Sequence, residues 1–276
     1  MSEGYVSAAD AVPVRPATLR EAVRSQYTRA FHPPFDMPIV VASNGLFMTG
    51  CWFLLPNPNP LFTFHGALAF PMVLASWMFS DVPATNVLGS DAMVSITALQ
   101  DPRSLLRMLL AKNFVLWTLI APFCAVIAII LGLQEDRPTA TIFTIVWILV
   151  VPWGTLPLAA WAGIYYPYHP IALRDRWRHR RQFKRMILRW GILVVLPYML
   201  VPAIVVIISA PTLLLWYLTS HTGGWSRVSD GDFAVGVLIG CGLAAVACLW
   251  GYRRGVRIAE KRKPDLILYL GDPGRG

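Results

Sequence analysis

The residues whose types could support catalysis or proton transfer are few and scattered: His65, His169, Asp81 and Asp91. No spacing among them supports a catalytic centre, and the chain has no GxxxxGK[ST] phosphate loop. His65 and Asp81 lie towards opposite ends of one apolar run, so a proton relay is an alternative, although neither has a charged partner nearby in sequence. We therefore expect no catalytic residue and no cofactor site in this chain.

The cysteines do not predict a metal site. All four lie inside apolar runs, without CxxC spacing or a nearby histidine: Cys51, Cys124, Cys241 and Cys248. We interpret them as small buried apolar residues and expect neither a metal centre nor a disulfide framework.

The composition of the chain is that of a membrane protein, so any site must be carried by apolar segments and the loops between them. The chain has 276 residues, of which 56% are hydrophobic and 14% charged, and its mean hydropathy is +0.54. A soluble domain has about 25% charged residues. The net charge of +9 could suggest a nucleic-acid partner, but the basic residues separate long uncharged apolar runs, so we expect an integral membrane protein that binds no nucleic acid. The first 16 residues do not resemble a signal peptide.

Six apolar runs predict an all-α protein with six transmembrane helices. They cover residues 37–55, 61–81, 114–133, 139–166, 187–219 and 233–252. Asn44, in the first span, is predicted to make a hydrogen bond between helices. Pro152 and Pro157 predict a break in the fourth span. The fifth run is too long for one upright crossing, so it must tilt strongly, break or re-enter, and Pro197, Pro202 and Pro211 predict that it is broken or re-entrant.

The densest charge lies between the fourth and fifth spans, where residues 167–189 hold eight Arg and Lys against one acid. Placing this stretch, residues 1–37, 84–113 and 253–276 in the cytoplasm puts 22 of the 24 Lys and Arg inside, which predicts that both termini are cytoplasmic. The residues expected to set topology or bind anionic lipid are Arg174, Arg176, Arg178, Arg180, Arg181, Lys184 and Arg185. Contact with an anionic headgroup of a substrate, or with a partner protein, is the alternative.

A short amphipathic helix is predicted before the first span. Thr18 and Glu21 form the pattern of a capping box. An apolar stripe then recurs every four residues, with arginines off that stripe: Leu19, Val23, Tyr27 and Phe31. This pattern favours a helix lying at the membrane interface, and a soluble helix packed on another subunit is the alternative.

The segment between the second and third spans, residues 81–113, predicts two short helices. Asp101 is placed to cap the second helix and Pro102 to begin it. Such helices would present Arg103, Arg107 and Lys112 to the membrane surface. The alternative is a solvated loop whose basic residues lie on that surface.

Together these features resemble the permease subunits of type-2 ATP-binding-cassette exporters. The resemblance covers most of residues 17–252 and rests on the N-terminal helix, the divided fifth span, AGIYYPYHPIALR at the exit of the fourth span, and a Gly-Ser-acid segment followed by Pro, Arg and Lys. The residues it assigns to ATPase coupling are Gly89, Ser90, Asp91, Asp101, Pro102, Arg103, Arg107 and Lys112. The Glu-rich, Arg-Gly-Thr run of the drug-export branch is absent, so the resemblance does not identify the branch or the substrate.

The resemblance implies a working unit of two permeases and two cytoplasmic ATPases, with ATP and Mg on the ATPases. Residues 1–36 would carry the interface helix, 37–252 the six-span domain and 253–276 a basic cytoplasmic tail. Spans one, two and five would line the path of a lipid, glycolipid, polymer or drug-like amphiphile across the cytoplasmic membrane. Two alternatives remain: a non-catalytic membrane scaffold, and a membrane enzyme that acts on a lipid-linked substrate through His65, His169 or Asp91.

Overall fold

The computed structural model of the protein describes residues 18–32, 36–54, 68–169, 184–219 and 230–272. Within these ranges the secondary structure is helical and contains no strand. The α-helices are α1 (Leu19–Ala30), α2 (Asp36–Leu54), α3 (Ala69–Phe79), α4 (Val82–Thr85), α5 (Ala92–Ala98), α6 (Pro102–Gln134), α7 (Pro138–Tyr165), α8 (Lys184–Thr219), α9 (Asp230–Lys261) and α10 (Lys263–Leu270). A 3₁₀ turn, Gly89–Asp91, precedes α5.

Four of the described helices are long and apolar enough to cross a membrane: α2, α6, α7 and α9. They correspond to the first, third, fourth and sixth predicted spans. The predicted second span appears as the shorter helix α3, because residues 55–67 lie outside the described ranges. The predicted fifth span falls within α8, whose apolar stretch with described side chains is Val195–Pro211.

The predicted breaks at proline are wrong. Helix α7 runs unbroken through Pro152 and Pro157, and α8 runs unbroken for 36 residues through Pro197, Pro202 and Pro211. Neighbouring apolar helices tolerate internal proline by satisfying the freed backbone groups locally. At 1.5 Å per residue α8 is about 54 Å long, which exceeds a hydrocarbon core of about 30 Å. The predicted re-entrant turn at residues 221–225 lies outside the described residues.

Helix α6 joins two predicted elements into one. The second short helix of the segment 81–113 and the third span form a continuous helix of 33 residues. Its predicted start is confirmed: the Asp101 carboxylate accepts hydrogen bonds from the backbone N–H groups of Arg103 and Ser104, at 3.3 and 3.0 Å, and Pro102 is the first helical residue. The part of α6 before residue 114 therefore extends rigidly from the predicted span.

The long helices enclose a first apolar core in which α7 is central. It packs most extensively against α9, where a Cβ on Gly154 would lie 2.6 Å from Ala244 Cα, so only glycine fits. The Trp161 indole N–H donates to the Gly251 carbonyl at 2.9 Å across the same interface. Towards α8, the Trp147 indole donates to Ser209 Oγ at 3.0 Å. Small residues thus allow these helices to pack closely.

A second apolar core lies at the ends of α7 and α9. It contains Val87, Leu88, Leu99, Leu105, Leu109, Ile164, Leu266 and Leu270, all nearly inaccessible to solvent. The predicted basic tail is partly folded into it, because α9 continues to Lys261 and α10 then packs against α5. Arg262 fixes this return by donating to the carbonyls of Ile164 and Tyr165, at 2.8 and 2.7 Å.

Candidate functional site

The segment 81–113 is a packed unit built around Ser95 and the second core. Helix α4 is capped by Asp81, the 3₁₀ turn follows, and Ser95 on α5 donates from Oγ to the Leu88 carbonyl at 2.7 Å. Val87, Leu88, Ala98 and Leu99 are buried beneath these turns. The segment is therefore not the solvated loop of the alternative interpretation.

Lys112 holds the middle of this unit. It was predicted to face the membrane surface, and that prediction is wrong: only 5% of the residue is exposed. Its Nζ donates to the Val87 carbonyl at 2.6 Å and to Ser90 Oγ at 2.9 Å. The Asp91 carboxylate is close enough to attract its charge. A buried ammonium is stable only with such partners, so Lys112 ties the 3₁₀ turn to α6.

An ion pair joins the N-terminal helix to the same turn. Arg29 at the end of α1 lies 2.8 Å from the Asp91 carboxylate, with each side chain about one-third exposed. Helix α1 also packs along α6, and the hydroxyls of Tyr27 and Thr118 share a hydrogen bond. The charges Arg29, Asp91 and Lys112 thus alternate in sign across α1, the turn and α6.

The residues that follow α7 also pack against this unit. The Asn86 amide donates to the Tyr168 carbonyl at 3.0 Å, and Tyr168 N–H donates back to Asn86 Oδ1 at 3.2 Å. Gly89 lies beneath this pair, where a Cβ would stand 2.0 Å from the Tyr168 carbonyl oxygen. Glycine at position 89 therefore reflects close packing.

The predicted coupling residues fall into two groups. Gly89 and Lys112 are buried inside the unit, and the half-buried Asp91 pairs with Arg29 at its edge; these three residues hold its shape. The residues towards the surface are Ser90, Asp101, Pro102, Arg103 and Arg107: Asp101 and Arg107 are half-buried and the other three are exposed. Met93, which the sequence did not single out, is 59% exposed on α5 although it is a large apolar side chain.

Helix α1 begins with the predicted capping box: Glu21 N–H donates to Thr18 Oγ1, and Thr18 N–H donates to the Glu21 carboxylate. Its buried face is formed by Ala22, Gln26 and Ala30. The predicted stripe lies beside that face, with Leu19 and Phe31 about half exposed and Val23 and Tyr27 half-buried. The small alanines let α1 approach α6 and leave the ends of the larger stripe uncovered.

Two further sets of predicted residues are described only in part. Residues 170–183 of the basic stretch lie outside the described residues, and Lys184 and Arg185 are placed only as the first residues of α8. His65 also lies outside them. His169 stacks on Tyr269 at 5.1 Å, whereas Asp91 pairs with Arg29. Across the described ranges no group of three or more His, Cys, Asp or Glu could hold a metal ion.

A second polar cluster lies between α2, the α3–α4 connection and α8. Asn44 donates from Nδ2 to Asp81 Oδ2 at 2.8 Å and accepts from the Tyr198 hydroxyl at 3.0 Å, which confirms the predicted hydrogen bond between helices. Asp81 is 2% exposed. The sequence indicated Asn44 and Asp81 separately. Tyr198 was missed because an isolated tyrosine in an apolar helix gives no signal of its partner.

Comparison with known proteins adds no relative. No family model matches the chain, and neither the curated proteins nor the solved structures include a significant match.

Proposed function

We propose that the protein is the permease subunit of an ATP-driven exporter of the type-2 ATP-binding-cassette kind, with a separate cytoplasmic ATPase docking on the segment 81–113. The observation that carries the proposal is the single unit formed by α1, the 3₁₀ turn and the start of α6 through Arg29, Asp91 and Lys112. A push on α5 would reach a long membrane helix without passing through a flexible joint.

The exposed features of this unit fit a docking surface. Met93 projects from α5, and Arg103 is exposed at the start of α6. An exposed large apolar side chain is typical of an interface anchor, and an exposed cation is typical of the polar rim around one. Because α6 is continuous from Pro102 to Gln134, a force applied at Arg103 acts directly on the span.

The remaining organisation follows the distribution of charge. Six spans with both termini in the cytoplasm place the segment 81–113, the basic stretch and the C-terminal helices on the side where the ATPase would be. The membrane is the cytoplasmic membrane, and a second permease completes the unit. The transported class is an amphiphile such as a lipid, glycolipid, polymer or drug-like molecule.

Site-specific photo-cross-linking in cells tests the docking surface. A photoreactive phenylalanine analogue placed at Met93 is expected to capture a soluble protein that carries a phosphate-loop motif, identified by mass spectrometry. The matched control places the analogue at Leu133, another large apolar side chain, which is 78% exposed. Leu133 lies near the end of α6 that is farther along the chain from Met93. Capture of the ATPase from Met93 alone supports the proposal. Equal capture from both positions, or capture of no ATPase from Met93, overturns it.

A further inference from the structure

Asp81 is a buried acid with no cationic partner among the residues that the structure describes. It is 2% exposed, and no Lys, Arg or His among the described residues pairs with it. It lies where α3 ends, against the apolar helix α2 and near α8. An ionisable residue in such surroundings is costly to bury, which makes it a candidate functional group.

The hydrogen bonds around Asp81 all run towards its carboxylate. Tyr198 donates to Asn44, and Asn44 donates to Asp81 Oδ2. Val82 N–H donates to the other carboxylate oxygen, Oδ1, at 2.5 Å. Donors directed at both oxygens stabilise the ionised carboxylate, whereas burial opposes its ionisation. When it is ionised, Asp81 carries a negative charge that no described cation pairs with.

Aromatic rings lie next to the cluster of Asn44, Asp81 and Tyr198. Trp77 contacts Tyr198 with ring centroids 5.0 Å apart, and Phe47 contacts Trp77 at 6.2 Å. The Trp77 indole N–H is buried and has no hydrogen-bond acceptor in the described part of the chain. Phe47 is 59% exposed, so the aromatic group reaches from the polar cluster to the outer surface of α2.

An acid next to aromatic faces is the chemistry that recognises an organic cation, since the rings attract the charge and cover the apolar groups attached to it. We propose that Asp81, Asn44 and Tyr198 form the binding site for the cationic amine head of an amphiphile, whose apolar part lies along Trp77 and Phe47. This rests on the proposed function only in making the bound amphiphile a transported one.

The test measures binding to the full chain in nanodiscs of zwitterionic lipid, without the ATPase. Two photoreactive probes with the same twelve-carbon chain, one ending in a primary amine and one in an alcohol, are cross-linked and the labelled peptides quantified. The amine is expected to label α2 and α8 about ten-fold more than the alcohol does, because the charge is recognised at Asp81. Equal labelling by the two probes overturns the proposal without requiring any variant.

Asp81→Asn is expected to abolish the preference for the amine, whereas Asp272→Asn, which removes a charge near the C-terminus, is expected to retain it. Tyr198→Phe keeps the carboxylate and is expected to reduce the preference partially. If Asp81→Asn retains the preference, the proposal is wrong.

Infrared spectroscopy gives a second outcome. If the wild-type protein at neutral pH shows the band of a protonated carboxyl and Asp81→Asn lacks that band, Asp81 holds a proton in place of an amine, and the proposal is overturned. Because no ATPase is present, failure here leaves the docking proposal standing.

Discussion

At the scale of single residues, Lys112 shows how a charged side chain can hold together the packed unit of residues 81–113. Its charge and its place before a span suggest a surface residue, yet it is buried and donates to Val87 and Ser90. The sequence could not predict this, because the partners lie more than 20 residues earlier and no local pattern relates them to Lys112. The N-caps at Thr18 and Asp101 were predictable, because a cap depends on residues only a few positions away.

Replacing Lys112 by Met keeps the length of the side chain and removes its donors. The Val87 carbonyl is then left buried without this partner, so we expect Lys112→Met to lower the free energy of unfolding by about 1–3 kcal/mol. Faster amide exchange is expected around the 3₁₀ turn. Thermal unfolding and hydrogen exchange in detergent measure both effects. Arg103→Met, at an exposed position of the same helix, is the control and should change stability by less than about 0.5 kcal/mol. Equal effects of the two substitutions would mean that Lys112 does not hold the turn.

At the scale of elements, hydrophobic runs predicted the positions of the helices well. They predicted the ends of the helices and the junctions between them less well. The four long helices match predicted spans because a run of about 20 apolar residues is a strong signal. The junction at Asn113 was misplaced because apolar composition begins there, while the backbone hydrogen bonds of α6 continue through it. Proline likewise marks the loss of one hydrogen bond and does not by itself end a helix packed among others.

The contact between α7 and α9 provides a test at this scale. On α9, a Cβ on Gly242 would have nothing within 4 Å. On α7, a Cβ on Gly154 would lie 2.6 Å from Ala244 Cα. We therefore expect Gly154→Leu to destabilise the protein by about 1–3 kcal/mol or more through overpacking, and Gly242→Leu to be tolerated. Melting temperatures in detergent compare the two. A larger loss from Gly242→Leu would show that the helices pack differently.

At the scale of the whole molecule, the long apolar helices are joined to the packed unit of residues 81–113. The asymmetry of basic residues predicts the orientation of the chain in the membrane. The second apolar core brings α5, α10 and the ends of α7 and α9 together. Composition predicted the helical membrane class, because it sums over the whole chain. It could not predict that the C-terminal residues return to pack against the segment 81–113, since that contact depends on Arg262 meeting carbonyls nearly 100 residues earlier.

The central claim is that this chain works with a separate ATPase. It is tested most directly by purifying the tagged protein in mild detergent from its native host and identifying its companions. We predict a stoichiometric soluble subunit with a phosphate-loop motif that hydrolyses ATP, and its loss when Asp101 and Arg103 are both replaced by Ala. If the chain is purified alone or only with other membrane proteins, the permease account is contradicted, and the membrane scaffold becomes the better interpretation.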